Sequence, residues 1–178
     1  MEDLHITYRQ SKRAKNIGIR IIPGGEVIVT TPAGVHPASG ERFLREKLSW
    51  VRKHIGKMSS FVQVCPPRTR TNYLKFKEQA RELVAERVAF WQSQMDSRFV
   101  CNKIYIRDTK TRWGTCSTKR NLGFSYRIVF LSPEVCDYLI VHELCHLVHM
   151  NHSEQFWTLV GLYLPEYREQ RDELRLTV

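Results

Sequence analysis

The chain has 178 residues, 42% hydrophobic and 26% charged, a composition that suits one folded domain, or one domain with a small appendage, and excludes a disordered polypeptide. Its formal net charge is +10, so polyanions such as nucleotides, nucleic acid or anionic lipid are its natural electrostatic partners, although no RNP-like or zinc-finger signature accompanies that charge. No apolar run approaches the roughly eighteen residues that span a bilayer, and the opening Met1-Glu2-Asp3-Leu4 carries no basic and apolar leader pattern.

The charge is unevenly spread. Residues 1–71 hold 13 Lys/Arg against 5 Asp/Glu, residues 72–131 hold 12 against 5, and residues 132–178 hold 3 against 8. Cys65, Cys101, Cys116, Cys136 and Cys145 are an odd number without a Cys-x-x-Cys pair. That pattern fits reduced thiols in a cytoplasmic protein rather than a disulfide framework or zinc ribbon.

In chain order, Leu4 to Tyr8 reads as a first strand. Ile17, Ile19 and Ile21 alternate with other residues, Pro23-Gly24-Gly25 intervenes, and Val27 and Val29 alternate again; period-2 patterning around a Gly-rich turn predicts a β-hairpin. Leu44, Leu48, Val51, Ile55 and Met58 recur at helical spacing and predict one amphipathic helix. Cys65-Pro66-Pro67 cannot continue it, because proline removes backbone donors and fixes φ. The expected division is therefore a β-hairpin and helix region at residues 1–64, a linker-like segment 65–71, and a catalytic region 72–178, together making one compact unit.

A long helix follows from about Tyr73 to Met95, burying Phe76, Ala80, Leu83, Val84, Val88 and Trp91. Lys103–Ile106 and Arg127–Phe130 read as strands, with a polar loop at Thr111–Ser117 between them. Ser132 then stands as an N-cap, with Pro133 at the first helical position and Glu134 in the first turn.

That last helix carries Val141-His142-Glu143-Leu144-Cys145-His146. Histidines four apart lie on one helix face, about 6 Å apart in rise, so both imidazoles can serve one cation. Glu143 is placed to activate a zinc-bound water as general base. Ile140, Val141, Leu144, Cys145 and Val148 fall on the opposite side. The third ligand comes from His152, beyond a helix break expected at Met150-Asn151 with Asn151 left-handed. His149 is the rival; three histidines along one straight helix, however, give poor tetrahedral geometry. Three neutral imidazoles and a water make an open zinc site, as a hydrolase needs. Tyr126, Arg127 and Tyr138 flank the motif and are the candidates for a second oxyanion donor.

The sequence resembles the YgjP-like metallopeptidase family. The likeness rests on Arg112-Trp113-Gly114-Thr115-Cys116-Ser117, on Val141–His146, on Asn151-His152-Ser153 with Phe156-Trp157, and on Pro165-Glu166-Tyr167. It implies zinc ligands at His142, His146 and His152 and the general base at Glu143. It also implies an α+β, minimal zincin-like fold: a small twisted sheet beside the His-Glu-x-x-His helix, with the Arg112–Ser117 loop near the cleft. The histidine spacing equals that of metzincins, but their turn glycine would fall at His149, which sets this chain apart from them. Trp113 is read as a core plug, and Phe156 and Trp157 as packing residues behind His152.

A zinc metallopeptidase acting on peptide or protein is the leading expectation. A nucleoside triphosphate pyrophosphatase on the same site is the first alternative, supported by the basic body and by an assignment attached to the YgjP-like group. A DNA-associated protease of SprT or WLM type is a further one, by likeness of the zinc helix. A purely structural zinc is opposed by Glu143 and by only three protein ligands.

Overall fold

A computed structural model describes residues 4–22 and 25–177, and the chain divides into two compact units, 1–64 and 65–176. Together they make an α+β protein of six helices and two three-stranded mixed sheets among the described residues.

In the first unit, β1 (Ile6–Ser11), β2 (Gly18–Ile21) and β3 (Val27–Pro32) form a sheet of order β1-β3-β2. β2 and β3 are the antiparallel pair predicted from the alternating Ile and Val residues, with Ile19 opposite Val29. Pro23 and Gly24 of the expected turn lie outside the described residues. Gly25 takes φ of 84°, a left-handed conformation that suits glycine, and its N–H donates to the Ile22 carbonyl. Val27 and Val29 are fully buried.

The single helix expected next is two: α1 (Pro37–Glu46) and α2 (Leu48–Val64). Lys47 leaves helical geometry, with φ −103° and ψ 9°. The apolar stripe runs across the break, Leu44 and Val51 being buried on either side of it, so spacing alone reads as one helix. The side chain of Met58 lies outside the described set.

In the second unit, Cys65 to Thr69 lies outside any helix or strand, and α3 (Arg70–Ser93) starts three residues before the expected Tyr73. Thr69 caps it, accepting from the Asn72 N–H. Ala80, Val84 and Val88 make its buried stripe. The second sheet has order β4-β6-β5, from β4 (Lys103–Arg107), β5 (Gly114–Cys116) and β6 (Asn121–Ser125). Two expectations are corrected here. The centre of the polar loop is the edge strand β5, and Arg127–Phe130 belongs to a 3-10 helical turn, Tyr126–Phe130, rather than a strand. The missed strand β6 is buried from Leu122 through Ser125, so it shows no alternation to read.

Helices α4 (Pro133–Cys145), α5 (Glu154–Tyr163) and α6 (Tyr167–Leu176) complete the unit. Pro133 opens α4 as predicted, although the Ser132 side chain makes no capping bond. α4 is buried on nearly every side, packing against α3, α5, α6 and β5. A paired contact of Arg87 with Asp137, 2.6 Å at each of two oxygens, ties α3 to it. All five cysteines are free thiols. No helix among the described residues is long and apolar enough to cross a membrane.

Candidate metal centre

α4 ends at Cys145, a turn earlier than the motif suggests, and His146 is its C-cap. The chain turns through residues 146–148 and re-enters helix at Glu154, where Ser153 caps α5 by accepting from the Phe156 N–H. Asn151 is not left-handed; among the described non-glycine residues only Arg120 has positive φ. The return is made by the turn after His146 and by the cap at Ser153.

That return brings His142, His146 and His152 together, with one ligand nitrogen from each lying within 4.8 Å of the others. Nε2 of His152 stands 3.0 Å from Nε2 of His142. Two of the remaining ring nitrogens have partners of their own. Nδ1 of His146 lies 3.0 Å from the His149 carbonyl, and Nδ1 of His142 lies 3.4 Å from the Tyr138 hydroxyl. Donation from Nδ1 to the His149 carbonyl fixes the His146 tautomer that keeps an Nε2 lone pair for a cation, and the Tyr138 hydroxyl can accept in the same way from His142. His149 therefore stands outside the triad and supplies a backbone carbonyl to it.

The rings are seated by α5. Phe156 is fully buried, with its centroid 4.9, 4.5 and 4.9 Å from those of His142, His146 and His152. Trp157 stacks on His152 at 5.5 Å and on Tyr167 at 5.4 Å, and the Arg171 guanidinium covers Trp157 at 5.1 Å. Both aromatic residues pack behind the triad. Burial, reinforced by the neighbouring histidines and Arg171, holds the His142 ring neutral, its pKa pushed down to about 3. Burial also lowers His146. Metal coordination needs the neutral ring, so the environment suits the donors.

Glu143 is 4% exposed, and its Oε2 is buried without a hydrogen-bond partner. Burial pushes its carboxyl up to about 8. A buried, unsatisfied carboxylate oxygen is costly, and here it sits one residue from the first of the three imidazoles, on the helix that bears two of them. The other carboxylate oxygen lies over Gly114 of β5. A Cβ at residue 114 would press on Oε1 and come within 2.6 Å of Cδ and Cγ of Glu143. The glycine of the Arg112–Ser117 segment thus leaves room for the carboxylate. Gly114→Ala should lower kcat by roughly 10- to 100-fold with metal content unchanged, since displacement by about 1 Å costs a reacting group that much. Gly18→Ala, where an added Cβ meets nothing within 4 Å, should leave kcat unaltered in the same assay.

β5 is an edge strand. Thr115 pairs with Gly123 of β6, while the Trp113 carbonyl accepts from the Ser125 N–H and the Ser117 N–H donates to Asn121. By the antiparallel alternation, the N–H and C=O groups of Gly114 and Cys116 face away from β6. Arg120 (φ 58°) closes the β5–β6 turn. Its guanidinium donates to the carbonyls of Val100 and Arg98, and to that of Leu147 just beyond His146.

A cavity of about 230 Å³ opens beside His142 and Glu143, between β5, α4 and α6. Trp113 is 7% exposed and forms part of its wall, so this residue is both buried and adjacent to the site. Of the three expected oxyanion donors, Tyr138 lines the same cavity, its phenol held protonated by burial. Tyr126 and Arg127 do not line it. Tyr126 is buried edge-on to Tyr73, and Arg127 lies over Trp113 with Nε 3.2 Å from the Cys65 sulfur.

A family model described as "YgjP-like, metallopeptidase domain" matches residues 15–75 and 68–177. Among solved structures, the chain is similar to the metallopeptidase zymogen of Pyrococcus abyssi abylysin. The identity is 24% and the TM-score 0.39, over 55% of this chain and 90% of that one. No curated protein matches.

Proposed function

Given that the chain belongs to the YgjP-like metallopeptidase family, we propose that it is a zinc-dependent peptidase whose metal is held by His142, His146 and His152, with Glu143 as general base. The observation that carries this reading is the convergence of three imidazoles beside a buried carboxylate with an unpartnered oxygen. Three nitrogen donors match the ligand number and softness of an open zinc site, and no fourth His, Cys, Asp or Glu joins the group among the described residues.

When bound, the ion supplies Lewis acidity, which acidifies a water molecule and polarises a carbonyl. The protein's own groups do the rest. Glu143 accepts the proton of the attacking water at its carboxylate and returns it to the departing amine nitrogen. Apolar packing around Glu143 excludes bulk water, which strengthens each charge interaction in the site. The outward N–H and C=O groups of Gly114 and Cys116 offer an extended peptide a strand to pair with, next to Glu143. This edge favours a polypeptide over a nucleotide as substrate.

The test is one panel. Zinc-loaded protein should cleave a denatured protein substrate, lose that activity on chelation, and regain it on addition of zinc. Nucleoside triphosphates should be left intact under the same conditions. Phosphate or pyrophosphate release without peptide cleavage would replace this reading with phosphoanhydride hydrolysis. Peptide cleavage that depends on added DNA would point instead to a nucleic-acid-associated protease.

A further inference from the structure

We propose that the cavity beside Glu143 is a specificity pocket for an acidic group of the substrate, a Glu or Asp side chain or a C-terminal carboxylate, received by Arg112 and Arg175. The proposal deepens, and rests on, the peptidase reading of the metal centre.

Position comes first. His142 and Glu143 form one side of the cavity, so a substrate whose scissile bond lies at Glu143 places an adjacent residue there. Size comes next. About 230 Å³ falls below the roughly 300–1,000 Å³ typical of pockets for small-molecule ligands, and suits one side chain or chain end rather than a whole nucleotide.

The chemistry of the lining is divided. Trp113, Tyr138, Leu139 and Leu174 give it apolar walls, able to cover the methylene stem of a side chain. The cations are Arg112, at the entry to β5, and Arg175, on the last turn of α6; both are exposed. Glu143 is the only acidic side chain among the described residues that line the cavity. Arg175 lies 3.6 Å from Asp172, but Asp172 is shared with Arg171 at 3.7 Å. One carboxylate against two guanidiniums leaves a positive excess. Arg112 makes no ion pair among the described residues.

Guanidinium forks match carboxylates in shape and charge, and stay charged at every accessible pH. An incoming carboxylate would otherwise meet the repulsion of Glu143 whenever that group is ionised, as it is when it acts as a base. Two arginines at the same cavity remove that penalty and reject Lys or Arg at the position by like charge. The basic body of the chain, +10 overall, would attract acidic polypeptides in the same sense.

The test uses zinc-loaded full-length protein carrying Glu143→Gln, so that peptides bind without turnover, and calorimetry on two pairs of probes. One pair is a heptapeptide blocked at both ends, with a central Glu as its only charged group, and its Gln twin. The other lacks acidic side chains and ends in a free carboxylate or an amide. The acidic member of at least one pair should bind about 10-fold or more tighter than its twin, the size of a charge-assisted hydrogen bond. The pair that responds tells a side chain from a chain terminus.

Adding Arg112→Gln with Arg175→Gln should bring the ratio close to one. Arg112→Glu with Arg175→Glu should turn the preference toward a Lys twin, a gain that a misfolded protein cannot show. Equal binding of both pairs, or an acid preference that survives loss of both arginines, overturns the proposal. The same peptides given to the active enzyme separate the two ideas. Acid-selective binding without cleavage keeps the pocket and removes the peptidase. Cleavage without acid selectivity keeps the peptidase and removes the pocket.

Discussion

Glu143→Gln should reduce kcat for peptide cleavage by about 10³-fold while the protein still binds one zinc. The magnitude is the middle of the range for removing a positioned general acid–base group. The substitution preserves shape, so Gly114 continues to accommodate the side chain, and all three imidazoles remain. What is lost is the ability to take a proton from water and hand it to the leaving nitrogen. Metal analysis alongside steady-state kinetics checks this. A variant that keeps near-normal turnover would remove Glu143 from the mechanism. One that loses the metal would make its role structural.

His142→Ala should abolish both stoichiometric zinc and activity, with metal affinity falling by roughly 10³-fold or more, because coordination free energy depends on the full donor set. His142 is in ring contact with both other members of the cluster, His146 and His152, at centroid distances of 4.8 and 5.0 Å, and its Nε2 faces His152. Tyr138→Phe provides the graded comparison. It keeps every donor and removes only the hydroxyl at Nδ1 of His142, so affinity should fall by about 10- to 100-fold, as for other outer-shell partners. A competition titration against a zinc chelator ranks the two. Equal losses would show that the hydroxyl and the ring act through the fold rather than through the ion.

Much of this site is legible in the order of residues alone. Spacing of four puts His142 and His146 on one face, and a third histidine after a break points back toward them. Three features stay hidden, each for a physical reason. The strand β6 is buried on both faces, so its hydrophobicity does not alternate. The break at Lys47 interrupts a helix whose apolar stripe continues across it, and periodicity measures the stripe and not the backbone. The contact between Gly114 and Glu143 joins residues 29 positions apart. A glycine in a polar stretch gives no hint of what fills the space it leaves. A left-handed Asn151 is the expected route back to His152, but the chain uses the earlier end of α4 and the Ser153 cap instead. Several short turns can deliver the same ring to the same place, so sequence selects the destination more firmly than the route.

The anchorage of β5 has a consequence for how such an enzyme diversifies. The strand is fastened to the chain of α4 at two points about one helical turn apart: Gly114 against Glu143, and the Arg120 turn against the Leu147 carbonyl. Neither can slide without the other, so Glu143 and the outer edge of β5 cannot shear apart. The opposite bank of the groove, on α6, is held instead through Tyr167 and Arg171 against Trp157, ahead of Leu174 and Arg175. Changes in appetite among relatives should accumulate there, at positions such as Leu174 and Arg175, while the blade itself stays fixed.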